Sequence, residues 1–446
     1  MRDGPMNPRR ERPMPSNSPG PSRLLSRLEQ TPDGTIGHLA DYRLFSHFQP
    51  IYSFSHRRLV GHEALLRARL SNGQGVPPLD VFANCPDDHA MATCDRLSRL
   101  VHLSNYAAQK RQAEWLFLNI HPNVFHRLAE GDGQGYLRNI CDHFGITGKS
   151  LVLEILESAS TDPQRVVESM AIARSMDMLI ALDDFGAGHS NFDRVWKMQP
   201  DIVKLDRSLV ARAARDRQAQ RIMSQMVSLL HECGAMVLAE GVETRDEALV
   251  ALDCDADMVQ GYFFGRPQVD LVLPRHVPAP MLDLTLELHG LRTRKGKQHR
   301  ELVAPLINAV GYAGALLSAG RSMEEASRSI MALPNAEICY VLDAQGYQIG
   351  PNLWSPRNQA DAPRMFEPLR DTDAACWSQR PYFRRAVHAP NRVQITRPYR
   401  TVHGQHACVT ASMAFHCQVD GERQLRVICG DMRWAEPDAA IADPSA

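Results

Sequence analysis

The chain has 446 residues, which is enough for two or three domains. Its hydrophobic fraction of 44% and charged fraction of 23% are typical of globular proteins, and its net charge of −1 excludes a strong basic field of the kind that favours duplex nucleic acid or an anionic membrane. The ten cysteines contain no Cys-x-x-Cys pair, which disfavours a zinc site or a disulfide framework and indicates a reducing, cytoplasmic location.

Residues 1–40 are predicted to form a disordered tail rich in Pro, Arg and Ser. The tail lacks the apolar segment of a secretory signal. A less favoured interpretation is an arm that contacts a partner or a nucleic acid through Arg9, Arg10 and Arg12.

Residues 41–272 alternate short apolar runs with longer segments of helical period. Continuously apolar strands are typical of a parallel sheet that is covered by helices on both faces. Repeated strand–helix units over about 230 residues match a TIM-type (β/α)8 barrel, which is the predicted fold. An open doubly wound sheet is the alternative, although no Gly-x-Gly-x-x-Gly follows the first strand. The predicted strands contain residues 48–52, 60–67, 115–119, 151–154, 179–182, 201–206, 237–240 and 258–260.

Nearly every predicted strand ends in a polar residue. In a barrel of this type the carboxyl ends of the strands meet at one mouth, so these residues should become neighbours. Carboxylate and amide oxygens are the ligands preferred by Mg²⁺ and Mn²⁺, and adjacent aspartates can share a carboxylate between two ions. Each residue taken alone is better explained as part of a solvated turn, but the set predicts a two-metal site. The set is Glu63, Asn119, Glu154, Asp183, Asp184, Lys204, Glu240 and Gln260.

The motif Glu63-Ala64-Leu65, followed by Leu66-Arg67, is the signature of the EAL family of cyclic di-GMP phosphodiesterases. Residues 48–267 resemble that family. Further matches are Gln49-Pro50-Ile51, Asn119 with Pro122, Glu154 with Glu157, Asp183-Asp184-Phe185-Gly186, Lys204 with Asp206, residues 239–243, and Gln260-Gly261-Tyr262.

The resemblance implies a (β/α)8 barrel with one irregular strand that hydrolyses cyclic di-GMP to linear pGpG with two Mg²⁺ or Mn²⁺ ions. It also implies that Asp183 and Asp184 bind the second ion, with Glu240 nearby, and that Lys204 acts on the attacking water. The implied ligands of the first ion are Glu63, Asn119, Glu154 and Asp183.

The resemblance further implies roles in substrate binding and support. Glu157 would anchor the loop that follows Asp184, a loop that in this family also joins two barrels in the active dimer, so we expect a homodimer. Asp206 and Glu243 would support the catalytic centre. The implied substrate-binding residues are Gln49, Glu63, Leu66, Arg67, Asn119 and Gln260.

The chain departs from the family pattern at three positions. His121 stands where the family usually has Ser, and Leu156 and Ala187 stand where it usually has Thr. Ala187 lies in the loop that relays dimerisation, so the lost hydroxyl puts the rate and its regulation in doubt. The metal site itself is expected to remain.

The sequence changes character after residue 272. Residues 273–322 are predicted to be a connecting helical region. Within it, residues 303–319 come nearest to a membrane span, but Pro305 and Asn308 interrupt them, so we expect a buried or dimer-forming helix and no membrane span. Residues 323–436 are predicted to form a small α+β domain, and residues 437–446 a flexible tail.

The α+β domain resembles, more weakly, the PAS-like or Cache-like modules found after EAL domains. The resemblance implies dimerisation and the sensing of an unknown small signal, and a plain oligomerisation domain is the alternative. For the whole chain, the leading hypothesis is an active cyclic di-GMP phosphodiesterase. The alternatives are a non-catalytic cyclic di-GMP receptor and a scaffold with a vestigial barrel.

Overall fold

The computed structural model describes residues 21–109, 114–129, 133–156, 163–188, 192–273, 278–356, 371–400 and 407–434. The chain forms two compact units, Met1–Gly290 and Leu291–Ala446. One long helix, α11 (Ala279–Ser318), contains the point at which the units divide.

The first unit contains eleven described strands in a single sheet. They are β1 (Leu28–Thr31), β2 (Gly34–Leu39), β3 (Tyr42–Ser53), β4 (Arg58–Leu70), β5 (Gly75–Val76), β6 (Trp115–Asn119), β7 (Leu151–Leu156), β8 (Leu179–Phe185), β9 (Ile202–Leu205), β10 (Met236–Ala239) and β11 (Met258–Val259).

After β5, helices alternate with these strands along the chain. Some of them are capped at their N-termini by polar side chains. The carboxylate of Asp87 accepts a hydrogen bond from a backbone amide of α3 (Asp88–Ala108), and Thr244 and Glu247 form a capping box on α10 (Arg245–Asp253). The helices are α1 (Pro21–Leu25), α2 (Pro78–Ala83), α3 (Asp88–Ala108), α4 (Pro122–Phe125), α5 (Gly133–Phe144), α6 (Pro163–Ser175), α7 (Phe192–Met198), α8 (Arg207–Arg215), α9 (Arg217–Glu232) and α10 (Arg245–Asp253).

Eight of the strands close into a barrel in the order β3–β11–β10–β9–β8–β7–β6–β4, and β4 then pairs with β3. Every neighbouring pair from β4 round to β11 is parallel, whereas β3 is antiparallel to both of its neighbours. The predicted (β/α)8 barrel with one irregular strand is therefore confirmed. Strands β6 to β11 are largely apolar because their outward faces are buried beneath the helices.

The prediction that residues 1–40 form a disordered tail is wrong for residues 21–39. Residues 21–39 form α1, β1 and β2, and β2 pairs with the first barrel strand. The side chain of Leu24 is fully buried in the core of the unit. Residues 1–20 lie outside the described part of the chain.

The second unit is α+β, as predicted. Its sheet is antiparallel in the order β13–β12–β17–β16–β14, and β15 also pairs with β16. Its elements after α11 are α12 (Met323–Met331), β12 (Ala336–Leu342), β13 (Gln348–Trp354), α13 (Pro381–His388), β14 (Gln394–Ile395), β15 (Tyr399–Arg400), β16 (Ala407–Val419) and β17 (Glu422–Arg433).

Helix α11 is the one helix in the described ranges that is long and apolar enough to cross a membrane, judged by length and composition alone. Of the 18-residue apolar stretch that meets this criterion, 33% is buried in the fold. Leu306, Val310 and Ala313 belong to the core of the second unit, which is consistent with the predicted buried helix. The prediction that the chain has no membrane span stays a prediction.

Candidate active site

Most of the predicted strand-end residues form a ring one layer above an apolar floor in the barrel. The buried floor residues are Ile51, Phe117, Val152, Ala181, Ile202, Leu238 and Met258. Side chains on one face of a strand recur every second residue, so the residue two positions after each floor residue of β6 to β11 also faces the barrel interior. Those residues are Asn119, Glu154, Asp183, Lys204, Glu240 and Gln260.

The ammonium group of Lys204 lies at the centre of this ring. The lysine side chain is only 1% exposed. Its Nζ atom lies 2.6 Å from a carboxylate oxygen of Glu154, 2.7 Å from Glu240, 3.2 Å from Asp183 and 3.7 Å from Glu63. Four carboxylates, from β4, β7, β8 and the residue directly after β10, therefore converge on one cation.

Amide side chains hold Glu63 in place. Asn119 Nδ2 donates to one carboxylate oxygen of Glu63 at 3.0 Å, and Gln260 Nε2 donates to the other at 2.6 Å. Gln49 accepts from Gln260 at 3.2 Å and itself donates to the carbonyl of Gly265 at 3.1 Å. This hydrogen-bonded chain joins β3, β4, β6 and the end of β11, so it fixes the orientation of the Glu63 carboxylate.

The cluster carries excess negative charge. If all four carboxylates are ionised, their charge exceeds that of Lys204 by three. Burial and the nearby Glu63 raise the pKa of Glu154 well above its usual value, and burial together with Asp183 and Glu63 raises the pKa of Glu240. Burial alone would lower the pKa of Lys204, but the four carboxylates raise it well above its usual value. Such a site favours the binding of further positive charge.

The side chains present fit hard divalent cations. Among the described residues, the Glu154 carboxylate has no hydrogen-bond partner apart from its ion pair with Lys204, and the buried Gln260 Oε1 also has none. One carboxylate oxygen from each of Asp183, Asp184 and Glu240 lies within 4.8 Å of the others. This set contains carboxylate and amide oxygens and no thiolate or imidazole, which is the chemistry of Mg²⁺, Mn²⁺ or Ca²⁺.

Asp184 and Asp206 lie at the edge of the ring. Asp184 has a φ of 59°, in the left-handed region, and one of its carboxylate oxygens lies within 4.8 Å of an oxygen of Asp183. Burial, followed by the charges of Asp183 and Asp206, raises the pKa of Asp184. Asp206 caps helix α8 by accepting from the backbone amide of Ser208. Its predicted role in supporting the catalytic centre stays a prediction.

Glu243 points to a small cavity beside the ring. It accepts from the guanidinium of Arg207 at 2.9 Å, and both residues line a cavity of about 220 Å³ together with Gln49, Glu240 and Gln260. The sequence did not single out Arg207. The only feature of the sequence that could have indicated Arg207 is its position directly after the strand-end residue Asp206.

Leu66 and Arg67 lie on opposite faces of β4. The Leu66 side chain belongs to an apolar cluster that also contains Leu44 and Leu97, so the structure does not bring it together with the other predicted residues. Arg67 donates to the Leu66 carbonyl at 2.8 Å and lines a larger cavity of about 1060 Å³. His47 also lines this cavity, and Gln49, two residues further along β3, lines the smaller one.

The three departures from the family pattern lie beside the ring. Leu156 pairs in register with Asp183 and is 40% exposed. The Ala187 amide donates to the Asp184 carbonyl, and His121 caps α4. Glu157, the predicted loop anchor, lies outside the described residues.

The comparisons with known proteins agree with this geometry. Residues 37–267 match the model of the EAL domain, so the chain belongs to the EAL domain family. The cyclic di-GMP phosphodiesterase RocR of Pseudomonas aeruginosa is 25% identical over 228 residues, which cover 50% of this chain and 57% of RocR. The probable cyclic di-GMP phosphodiesterase PdeG of Escherichia coli is 31% identical over 230 residues, covering 50% of this chain and 45% of PdeG. The chain thus spans about half of each relative.

The fold is also similar to a crystal structure of the Bacillus subtilis YkuI protein, which has an EAL domain and was solved with its substrate c-di-GMP and calcium. The similarity has a TM-score of 0.73 at 17% identity, and it covers 89% of this chain and 98% of YkuI. This coverage extends beyond the barrel, so the second unit also has a structural counterpart.

Proposed function

We propose that this chain hydrolyses cyclic di-GMP to linear pGpG with two divalent metal ions. The observation that carries the proposal is the buried ring in which four carboxylates from separate strands surround Lys204. Membership of the EAL domain family supports it, as do relatives that are named cyclic di-GMP phosphodiesterases. A phosphodiester carries negative charge, so it needs the cations that this ring would hold.

The ring offers ligands for both ions. Glu63, Asn119, Glu154 and Asp183 would hold the first, and Asp183, Asp184 and Glu240 the second. When bound, two such ions stabilise the charge of the transition state and lower the pKa of a water molecule. Mg²⁺ and Mn²⁺ both accept these oxygen ligands.

The protein's own side chains would orient the reactants. Lys204 holds four carboxylates at fixed positions and stabilises developing negative charge. Asn119 and Gln260 keep both oxygens of Glu63 in a fixed orientation. Arg207 lines the small cavity beside the ring and Arg67 lines the larger cavity, and the guanidinium group of each is suited to a phosphate oxygen.

A turnover assay tests the proposal. The purified full chain is incubated with cyclic di-GMP and either Mg²⁺ or Mn²⁺, and pGpG is separated by chromatography. We expect metal-dependent formation of pGpG that stops when a chelator is added. Tight binding of cyclic di-GMP without turnover under either metal would instead identify a receptor, and an absence of both would contradict the proposal.

The remaining expectations belong to the same proposal. We infer a cytoplasmic homodimer in which the second unit, as a PAS-like or Cache-like module, senses a small signal and regulates the barrel. Turnover measured with and without the second unit would reveal such regulation, and sedimentation would give the oligomeric state.

A further inference from the structure

The hairpin of β3 and β4 continues beyond the ring and carries positive charge on one face. Residues that lie directly opposite each other in an antiparallel hairpin face the same way, and so does every second pair along it. Gln49 and Glu63 form one such pair at the ring. In order from the ring, the pairs on this face are Gln49–Glu63, His47–Leu65, Phe45–Arg67 and Arg43–Arg69. Arg43 and Arg69 therefore lie on the order of 20 Å beyond Glu63 along the strands.

The arginines of this face have no counter-charge. Arg43 and Arg69 are exposed and lie directly opposite each other, and like charges in that position destabilise a sheet. In the described part of the chain, none of the three arginines forms an ion pair with a carboxylate. Arg67 donates to the Leu66 carbonyl at 2.8 Å, and the guanidinium carbon of Arg69 lies 5.5 Å from the centroid of the Phe45 ring. The face is therefore suited to an anionic ligand.

Three cationic side chains of this face line the larger cavity of about 1060 Å³: His47, Arg67 and Arg69. Burial lowers the pKa of His47, and the charges of Arg67 and Arg69 lower it further. The carboxylates that line the cavity are those of Asp33, in the turn between β1 and β2, and Asp270, after β11. The cavity thus offers cations along one hairpin and hydrogen-bond acceptors from two other segments.

We propose that this face of the hairpin binds the phosphate backbone of a linear single-stranded oligonucleotide. Cations that follow one another along a strand, with the Phe45 ring among them, match a chain of phosphates whose bases stack on an aromatic side chain. Asp33 and Asp270 are suited to accept from the amino groups of bases. In a cyclic dinucleotide one nucleoside separates the two phosphates, so a molecule held at the ring does not extend to Arg43 and Arg69. The inference goes beyond the proposed hydrolysis and does not depend on it.

Fluorescence anisotropy with a short, labelled single-stranded RNA tests the surface. The full chain is titrated into the RNA in the presence of EDTA, and the titration is repeated over a range of salt concentrations. The logarithm of the binding constant of a single strand falls with the logarithm of the salt concentration, with a slope of about −0.7 for each phosphate that is neutralised. Arg43→Gln and Arg69→Gln should therefore each make the slope about 0.7 less steep and weaken binding at least ~3-fold at low salt.

Two further variants separate stacking from charge. Phe45→Leu should weaken binding at least ~5-fold and leave the salt slope unchanged, because it removes base stacking but no charge. Arg58→Gln changes an exposed arginine at the opposite end of β4, and this matched control should alter neither quantity. The assay contains no metal and measures no turnover, so its outcome is independent of pGpG formation. No saturable binding of the single strand, equally tight binding of a duplex of the same length, a salt slope that Arg43→Gln and Arg69→Gln leave unchanged, or an equal loss in Arg58→Gln would each overturn the proposal.

Discussion

Replacement of Lys204 by Met removes the single ammonium group that four buried carboxylates surround. The Met side chain is similar in length, so the volume of the site is nearly kept while its charge is lost. Two of the broken ion pairs are shorter than 2.8 Å, to Glu154 and Glu240. Removal of one partner of a buried ion pair costs about 3–5 kcal/mol. Without divalent metal, we therefore expect the free energy of unfolding of the first unit to fall by about that amount.

Mn²⁺ should restore much of this loss, because it supplies positive charge to the same carboxylates. Turnover should nevertheless stay at least ~10²-fold below that of the parent, which is the scale for loss of one preorganised electrostatic group. The assays are urea unfolding followed by circular dichroism, with and without Mn²⁺, and pGpG formation. Lys149→Met changes an exposed lysine and serves as the control. An unchanged urea midpoint with turnover within a few-fold of the parent would refute the reasoning.

Three further predictions concern the metal site and the buried His102 of helix α3. Asp183→Asn removes the carboxylate that both proposed metal sites share, so turnover should fall at least ~10²-fold. A decrease of only a few-fold in the pGpG assay would mean that Asp183 is not the shared ligand. Incubation with EDTA should abolish turnover, and either Mg²⁺ or Mn²⁺ should restore it; turnover that persists in EDTA would exclude the metal mechanism. Burial, Arg67 and Arg99 lower the pKa of His102 to about 3, so the folded state resists its protonation and loses stability as pH falls below the unfolded value of about 6.5. Between about pH 7.5 and about pH 5.5 this loss should reach about 1.4 kcal/mol in urea unfolding and be absent in His102→Asn; equal pH dependence in the two proteins would contradict it.

The barrel and most of its ring were predictable because two regularities agree. Most of the parallel strands are apolar up to a polar residue at or near their carboxyl end, and the carboxyl ends of parallel strands meet on one side of a barrel. This pattern alone predicts that three ring residues face the barrel interior, because each stands two residues after an apolar residue of the same strand. They are Glu154, Asp183 and Lys204. The same period explains why the side chain of Leu66 lies apart from the ring. It stands three residues after Glu63 and therefore faces outward, whereas Arg67 stands four residues after and faces the cavity.

Other features depend on contacts that the local sequence does not encode. Residues 21–39 follow a Pro- and Arg-rich stretch, and their strands are stabilised by pairing with β3, which only the fold supplies. The ion pair of Arg207 with Glu243 joins the start of α8 to the residue before the N-cap of α10, and the two residues are 36 positions apart in the chain.

Anomalous X-ray diffraction from crystals grown with Mn²⁺ and cyclic di-GMP tests the central claim most directly. We expect two peaks about 3.5–4 Å apart, with the Asp183 carboxylate between them and Glu63 and Glu154 as further ligands. Peaks at other places in the protein, or none within reach of these three carboxylates, would contradict the metal site on which the proposed hydrolysis depends.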